Sequence, residues 1–207
     1  MGLISDGTTI FDAGALDSGL AKGAMTFIKK LTASGSGTLS FVDGSGGVVL
    51  DDTYKEYLFT FKDIHPANNG AEFGFQTDTG TNTNYNIACT STFFHATHRE
   101  DAAVTELLYD AGSDQANGTA FQRIAYNIGA ATSSNFAGTL RLFNPASSVF
   151  VKHFIGTFQY HLNSDPDYSM NTFVSGYFNT QTPLTRFQFK MESGNIDAGD
   201  ICLYGIA

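Results

Sequence analysis

Hydrophobic and polar residues alternate with a period of two along most of this chain, the pattern of half-buried β-strands. The clearest run is YKEYLFTFKDI. In it Tyr57, Phe59 and Phe61 face one way, and Leu58, Thr60 and Lys62 the other. Near the other end, Phe187, Phe189 and Met191 alternate with Arg186, Gln188 and Lys190. The last residues, GDICLYGIA, keep the pattern with Ile201, Leu203 and Gly205 on one face. Chain ends fray unless something ties them down, so a strand pattern here predicts a terminal strand built into the core.

Between these runs the same reading predicts further strands. MTFIKKLTA and GTLSFVDG, separated by the turn at Ser34 to Gly37, read as a hairpin with Leu39 and Phe41 on one face. A turn at Pro66 to Gly70 leads into a strand carrying Phe73 and Phe75. TDTGTNTN at 77–84 reads as a polar loop, and polar loops are also expected at 110–119 and 163–169. AAVTELLYDAGSD allows a strand or a short helix. FAGTLRLFNP predicts a strand with Leu140 and Leu142 inward. VFVKHFIGTFQYHL is apolar on both faces and is expected to be well covered. The total is roughly ten strands with almost no convincing helix, a number that fits an all-β fold: a jelly-roll-like two-sheet β-sandwich.

Residues 1–23 follow neither period. They are rich in small residues, and they predict an extended N-terminal arm with one helical turn around Asp12 to Leu20. The expected organisation is an arm over 1–23, for attachment or subunit contact, and a sandwich domain over 24–207. The arm's apolar residues, Leu3, Ile4, Ile10, Phe11 and Leu16, are its candidate contacts. The first residues lack the basic start and apolar run of a signal peptide. MGLISD misses a myristoylation start at its sixth residue, Asp6.

Composition sharpens the picture. The 207 residues include 19 Phe and 9 Tyr but no Trp, and 22 Gly against 4 Pro, as expected of aromatic strands joined by many turns. Lys plus Arg is 11 against 20 Asp plus Glu, a net charge of −9. That balance lacks the basic footprint of a nucleic-acid binder and disfavours an anionic membrane surface. No apolar run reaches membrane-spanning length, so no membrane insertion is expected. The two cysteines, Cys89 and Cys202, read as small buried hydrophobes, with a bridge between them left open.

Little in the chain looks catalytic, and neither an enzyme nor a cofactor is expected. HATH at His95 to His98 is the nearest thing to a metal cluster, but residues three apart on a strand fall on opposite faces. The carboxylates of LDDTYKE and NSDPDYS lack the spacing of a calcium loop and read as turn residues. GSGG at 44–47 is followed by no Lys-Ser/Thr pair, so it is not a phosphate loop. What stands out is the aromatic content. It serves a rich core, or it serves strands that bury a second face against copies of the same chain. On the second view the candidate subunit contacts are Phe154, Phe158, Tyr160, Tyr177 and Phe178.

The stretches FIKKLTASGSGTLSFVDG, YKEYLFTFKDIHPANNGAEFGFQTD and FQFKMESGNIDAGDICLYGIA resemble a family of virion structural proteins from tailed bacteriophages, marine ones especially. The likeness extends in layout over residues 25–207 and is specific at its two ends. It implies a jelly-roll module, commonly a homotrimer, exposed on the virion surface after assembly in the host cytoplasm. On this reading the chain is a capsid decoration protein, of the head-fibre or cement kind. Its arm binds another virion protein, either the major capsid protein or a tail protein. The alternatives are a tail-fibre or tailspike adhesin recognising a host-surface glycan or protein and, behind it, a glycan depolymerase.

Overall fold

The computed structural model describes residues 3–6, 8–12, 15–16, 24–164 and 166–207. Among them there is no helix. Three short strands come first: β1 (Leu3–Ser5), β2 (Thr8–Asp12) and β3 (Ala15–Leu16). Then follow β4 (Met25–Thr32), β5 (Leu39–Val42), β6 (Glu56–Pro66), β7 (Ala71–Thr79), β8 (Cys89–Arg99) and β9 (Thr105–Tyr109). The chain ends with β10 (Gln122–Ile128), β11 (Phe136–Phe143), β12 (Lys152–Leu162), β13 (Tyr168–Phe178), β14 (Leu184–Met191) and β15 (Ile196–Ile206).

The last twelve strands form one antiparallel network that divides naturally into two layers. The long sheet runs β4-β15-β6-β11-β12-β13-β8-β9, and the short sheet runs β5-β14-β7-β10. They are joined at one corner, where Ile128 of β10 pairs with Leu162 of β12. The chain changes sheet at most of its connections, so many neighbours in sequence face each other across the core. That is a jelly roll, a sandwich nearly closed into a barrel, with β8–β9 and β12–β13 added to one side of the long sheet.

Phenylalanine fills the space between the layers. Phe61 of β6 meets Phe73, Phe136, Phe158 and Phe189 with ring centroids 5.2 to 6.1 Å apart, all edge to face. Phe59 meets Phe41, Phe187 and Phe189 in the same layer, and Phe75 meets Phe154 and Phe178. Each of these rings is essentially removed from solvent. Edge-to-face pairs add about 0.5–1.5 kcal/mol each beyond the area they bury. Glycine makes room for one of them. A Cβ on Gly138 or Gly156 would stand 2.6 Å from the ring of Phe158, which lies across both.

The final strand is interior. β15 pairs with β4 on one side and β6 on the other, and Ile201 and Leu203 are fully buried.

Other expectations change. MTFIKKLTA and GTLSFVDG form β4 and β5 but not a hairpin, because β4 pairs with β15 and β5 with β14. The turn between them crosses from one sheet to the other and is pinned by paired hydrogen bonds between Ser36 and Ile196. The loop expected at 77–84 starts later, since β7 runs to Thr79 with Thr77 and Asp78 buried. Asp78 accepts the backbone N–H groups of Thr79 and Tyr85. VFVKHFIGTFQYHL is covered on one face only: Phe154, Phe158 and Tyr160 are inside, whereas Ile155 is 53% exposed.

In the arm, β1, β2 and β3 form a separate antiparallel sheet that pairs Leu3 with Phe11 and Phe11 with Leu16. Of the helical turn expected over Asp12 to Leu20, Asp12, Ala15 and Leu16 are strand, and 13–14 and 17–20 lie outside the described residues. Ile4 is exposed. The side chains of Leu3, Ile10, Phe11 and Leu16 lie outside what is described. Cys89 and Cys202 are free thiols, Cys89 buried and Cys202 half-buried.

The packing of this core sets two expectations. Phe61→Ala should lower the unfolding free energy by about 3–5 kcal/mol in urea titrations, and Ile155→Ala by under about 1 kcal/mol. The second concerns alkaline pH. Burial raises the pKa of Tyr160, and burial together with the nearby Asp51 charge raises that of Tyr57. Burial also pushes the Cys89 thiol up to about 12. The unfolded chain therefore loses these protons first, at about pH 8.5 for a thiol and about 10 for a phenol. The stability they contribute is whole below those values and falls as pH rises past them. Lys152, lowered by burial, works in the opposite sense as pH approaches its ordinary value. The unfolding temperature should decline above about pH 9, and less steeply in Tyr57→Phe.

Candidate functional site

The added strands β12, β13, β8 and β9 widen the long sheet past the edge of the short one. Their register is regular: β13 pairs with β12 from Lys152↔Phe178 to Leu162↔Tyr168, and with β8 from Tyr168↔Arg99 to Phe178↔Cys89. One side chain in two therefore points to each face.

Close to the short sheet, the inner face joins the core through Phe93, Phe154, Phe158, Val174 and Phe178. Four of the five expected subunit contacts, Phe154, Phe158, Tyr160 and Phe178, are therefore core residues of their own chain and not contacts for another copy. Only Tyr177 lies on the outer face, its ring 5.9 Å from that of His153. The residues that do face outward sit one position along. Ile155 on β12 pairs with Ser175 on β13, and in the next outward row Phe173 on β13 pairs with Phe94 on β8, their rings stacked 4.8 Å apart at 9°. Leu107 on the edge strand β9 is 70% exposed.

The outer face of these strands carries no Lys, Arg, Asp or Glu. β12 presents His153, Ile155, Thr157, Gln159 and His161, and β13 presents Ser169, Asn171, Phe173, Ser175 and Tyr177. β8 adds Thr90, Thr92, Phe94, Ala96 and His98, and β9 adds Thr105, Leu107 and Tyr109, whose hydroxyl donates to the Asp114 carboxylate beyond the strand's end. Thr92 and Ser175 share a hydrogen bond of 2.9 Å, as do Gln159 and Ser169. Three strands of 11 residues and one of 5 make a surface of about 600 Å², taking about 4.8 Å between strands and 3.3 Å per residue. A stable complex buries about 800 Å² per partner. Among the described residues strand β9 also leaves one backbone edge unpaired, and natural sheets seldom leave such an edge open beside exposed apolar residues.

The inner face is different where the short sheet ends. There β8, β9 and β13 floor an open trough of about 580 Å³, walled by Tyr126 of β10 and by Leu162 and Tyr168 at the β12–β13 turn. His95 and Thr97 lie in its floor, and Glu106, Leu108 and Asp110 on its β9 side. His95 and His98 are on opposite faces, His95 buried and His98 exposed. Two of the expected polar loops, 110–119 and 163–169, meet at this trough through Asp110 and Tyr168.

A second cleft, of about 720 Å³, lies on the outer side of the short sheet beneath residues 112–121. Its basic groups are engaged. Arg123 donates to Glu72 at 2.8 Å, to the Gly112 carbonyl and to Ser113 Oγ, and Lys190 lies 4.2 Å over the Phe121 ring. Gln122 and Ser91 tie the overlying loop to both sheets: Ser91 Oγ donates to Gln122 Oε1 and accepts from the N–H of Gln115.

Alternation within KHFIGTFQYHL separates Ile155 from Phe154 and Phe158, so the outer face was readable in principle. Ranking residues by aromatic bulk selects the core set instead. The trough had no local signal, because its walls come from β8, β9, β10 and β13.

Comparison with protein-family models, with curated proteins and with solved structures finds no match for this chain.

Proposed function

We propose that this chain is a structural protein of a tailed-phage particle, a capsid decoration protein of the head-fibre or cement kind. It associates with copies of itself, as a homotrimer, through the outer face of β12-β13-β8-β9. It attaches to the particle surface through residues 1–23. The observation that carries the reading is that charge-free outer face. In a chain of net charge −9, most surfaces of two copies repel each other, and this one brings no carboxylates together. The resemblance of the two ends of the sandwich to virion proteins gives the biological setting. The separate β1–β3 sheet gives the attachment segment a structure of its own. No chemistry is assigned to the chain.

Light scattering after size exclusion should return the mass of three chains at micromolar concentration. Ile155→Lys combined with Leu107→Lys should raise the dissociation constant at least tenfold, with an unchanged unfolding temperature. A wild-type monomer at tens of micromolar would sink the self-association. Deleting residues 1–23 should leave a folded, oligomeric sandwich that no longer joins the particle. Cryo-EM of intact virions should place density for the chain on the capsid lattice; density at the tail alone would refute the decoration role.

A further inference from the structure

We propose that the trough between Tyr126 and strand β9 binds a neutral saccharide. The inference does not rest on the proposed assembly role, because the trough lies on the opposite side of the sheet from the outer face.

The first argument is unused hydrogen-bonding capacity. Thr97 is 8% exposed, and among the described residues its hydroxyl has no hydrogen-bond partner. His95 is buried beside it, and among the described residues its ring makes one hydrogen-bond contact, to the Tyr126 hydroxyl at 3.4 Å, longer than a well-formed bond. Both of these side chains line the open trough, so their unused donors and acceptors face whatever occupies it. On the rim the Glu106 carboxylate has no ion-pair partner among the described residues. The site thus offers a carboxylate acceptor together with hydroxyls and an imidazole that donate and accept. A sugar's hydroxyl groups need both.

The second argument is shape and apolar surface. A volume of about 580 Å³ lies within the range of small-molecule sites, about 300–1,000 Å³. Tyr126 and Tyr168 flank the trough with aromatic surface, and Met170 and Leu108 supply methyl and methylene groups to its floor and side. A pyranose presents an apolar C–H face to such rings and hydroxyls around its edge.

The third argument is charge, which separates a sugar from its competitors. No Lys or Arg lines the trough, whereas Glu106 and Asp110 do. Anionic ligands, including phosphates and acidic sugars, therefore meet repulsion, and Arg99, which lies over the Tyr168 ring, is already paired with Asp101. Asp110 is occupied in any case, accepting from the Gly112 N–H and the Ser113 hydroxyl. A quaternary amine would want an aromatic cage. Here the Arg99 guanidinium already lies 5.8 Å over the Tyr168 ring, which puts a positive charge where the cation would sit.

The test is saturation-transfer NMR on the full chain with maltotriose, cellotriose, tri-N-acetylchitotriose and mannotriose, and with trigalacturonate as the anionic comparison. At least one neutral trisaccharide should show saturable transfer in the millimolar range or tighter. Thr97→Val, which keeps the side-chain shape, and Glu106→Gln should each weaken it at least fivefold without changing the unfolding temperature. The proposal is overturned by transfer to none of the neutral sugars, by tighter binding of trigalacturonate, or by binding that both variants leave intact.

Discussion

The interlocking phenylalanines between the two sheets are the constraint on which the rest of the structure depends. Phe61 touches four rings, two from its own sheet on β11 and β12 and two from the short sheet on β7 and β14. Because these contacts are edge to face, each ring fixes the orientation of the next, and the layers can neither slide nor rotate without breaking several at once. The same cluster explains the placement of the last strand. β15 lies against β6, the strand that carries Tyr57, Phe59 and Phe61 into the core. Removing β15 would strip one side of the strand that holds the hub. β6 is anchored at its start as well, where the buried Tyr57 donates its hydroxyl to the Asp51 carbonyl at 2.8 Å. The C-terminus is therefore committed to the core, whereas β1, β2 and β3 pair with one another in a separate sheet.

From that frame the two candidate surfaces follow as one consequence of topology. β8–β9 are inserted between β7 and β10, and β12–β13 between β11 and β14, and both insertions join the same sheet. The short sheet has no matching strands, so the long sheet runs on past its cover. Its inner face there becomes the trough, and its outer face becomes the charge-free surface. A sandwich with equal sheets would have neither.

The strands were legible in the sequence because alternation is a local signal, and Tyr57, Phe59 and Phe61 or Phe187 and Phe189 announce their face unaided. The partners of each strand were not. β4 and β5 are neighbours in the chain, and a short turn between two strands normally makes a hairpin. Here the pairing of β4 with β15 and of β5 with β14 wins, and both partners lie more than a hundred residues away. Polar residues misled for the same reason. Gln76 stands just before the stretch that reads as a loop, and it is fully buried because its amide donates to the carbonyls of Ile87, Thr119 and Ala120. Only the folded chain brings those carbonyls together.

The charges on the added strands show how the outer face is kept clear. β12, β13, β8 and β9 contain Lys152, Arg99 and Glu106 and no other Lys, Arg, Asp or Glu. All three fall on the inward set of alternate positions. Lys152 is fully buried, its ammonium donating to the carbonyls of Phe150 at 2.9 Å and Thr180 at 3.1 Å, with no carboxylate partner among the described residues. Arg99 turns to Tyr168 and Asp101, and Glu106 turns to the trough. Burying an ammonium is costly, and a lysine at the outward position 153 would have stayed in water at no such cost. At position 152 that cost is offset in part by the two carbonyls its ammonium reaches, and alternation leaves the outward positions of these strands without Lys, Arg, Asp or Glu.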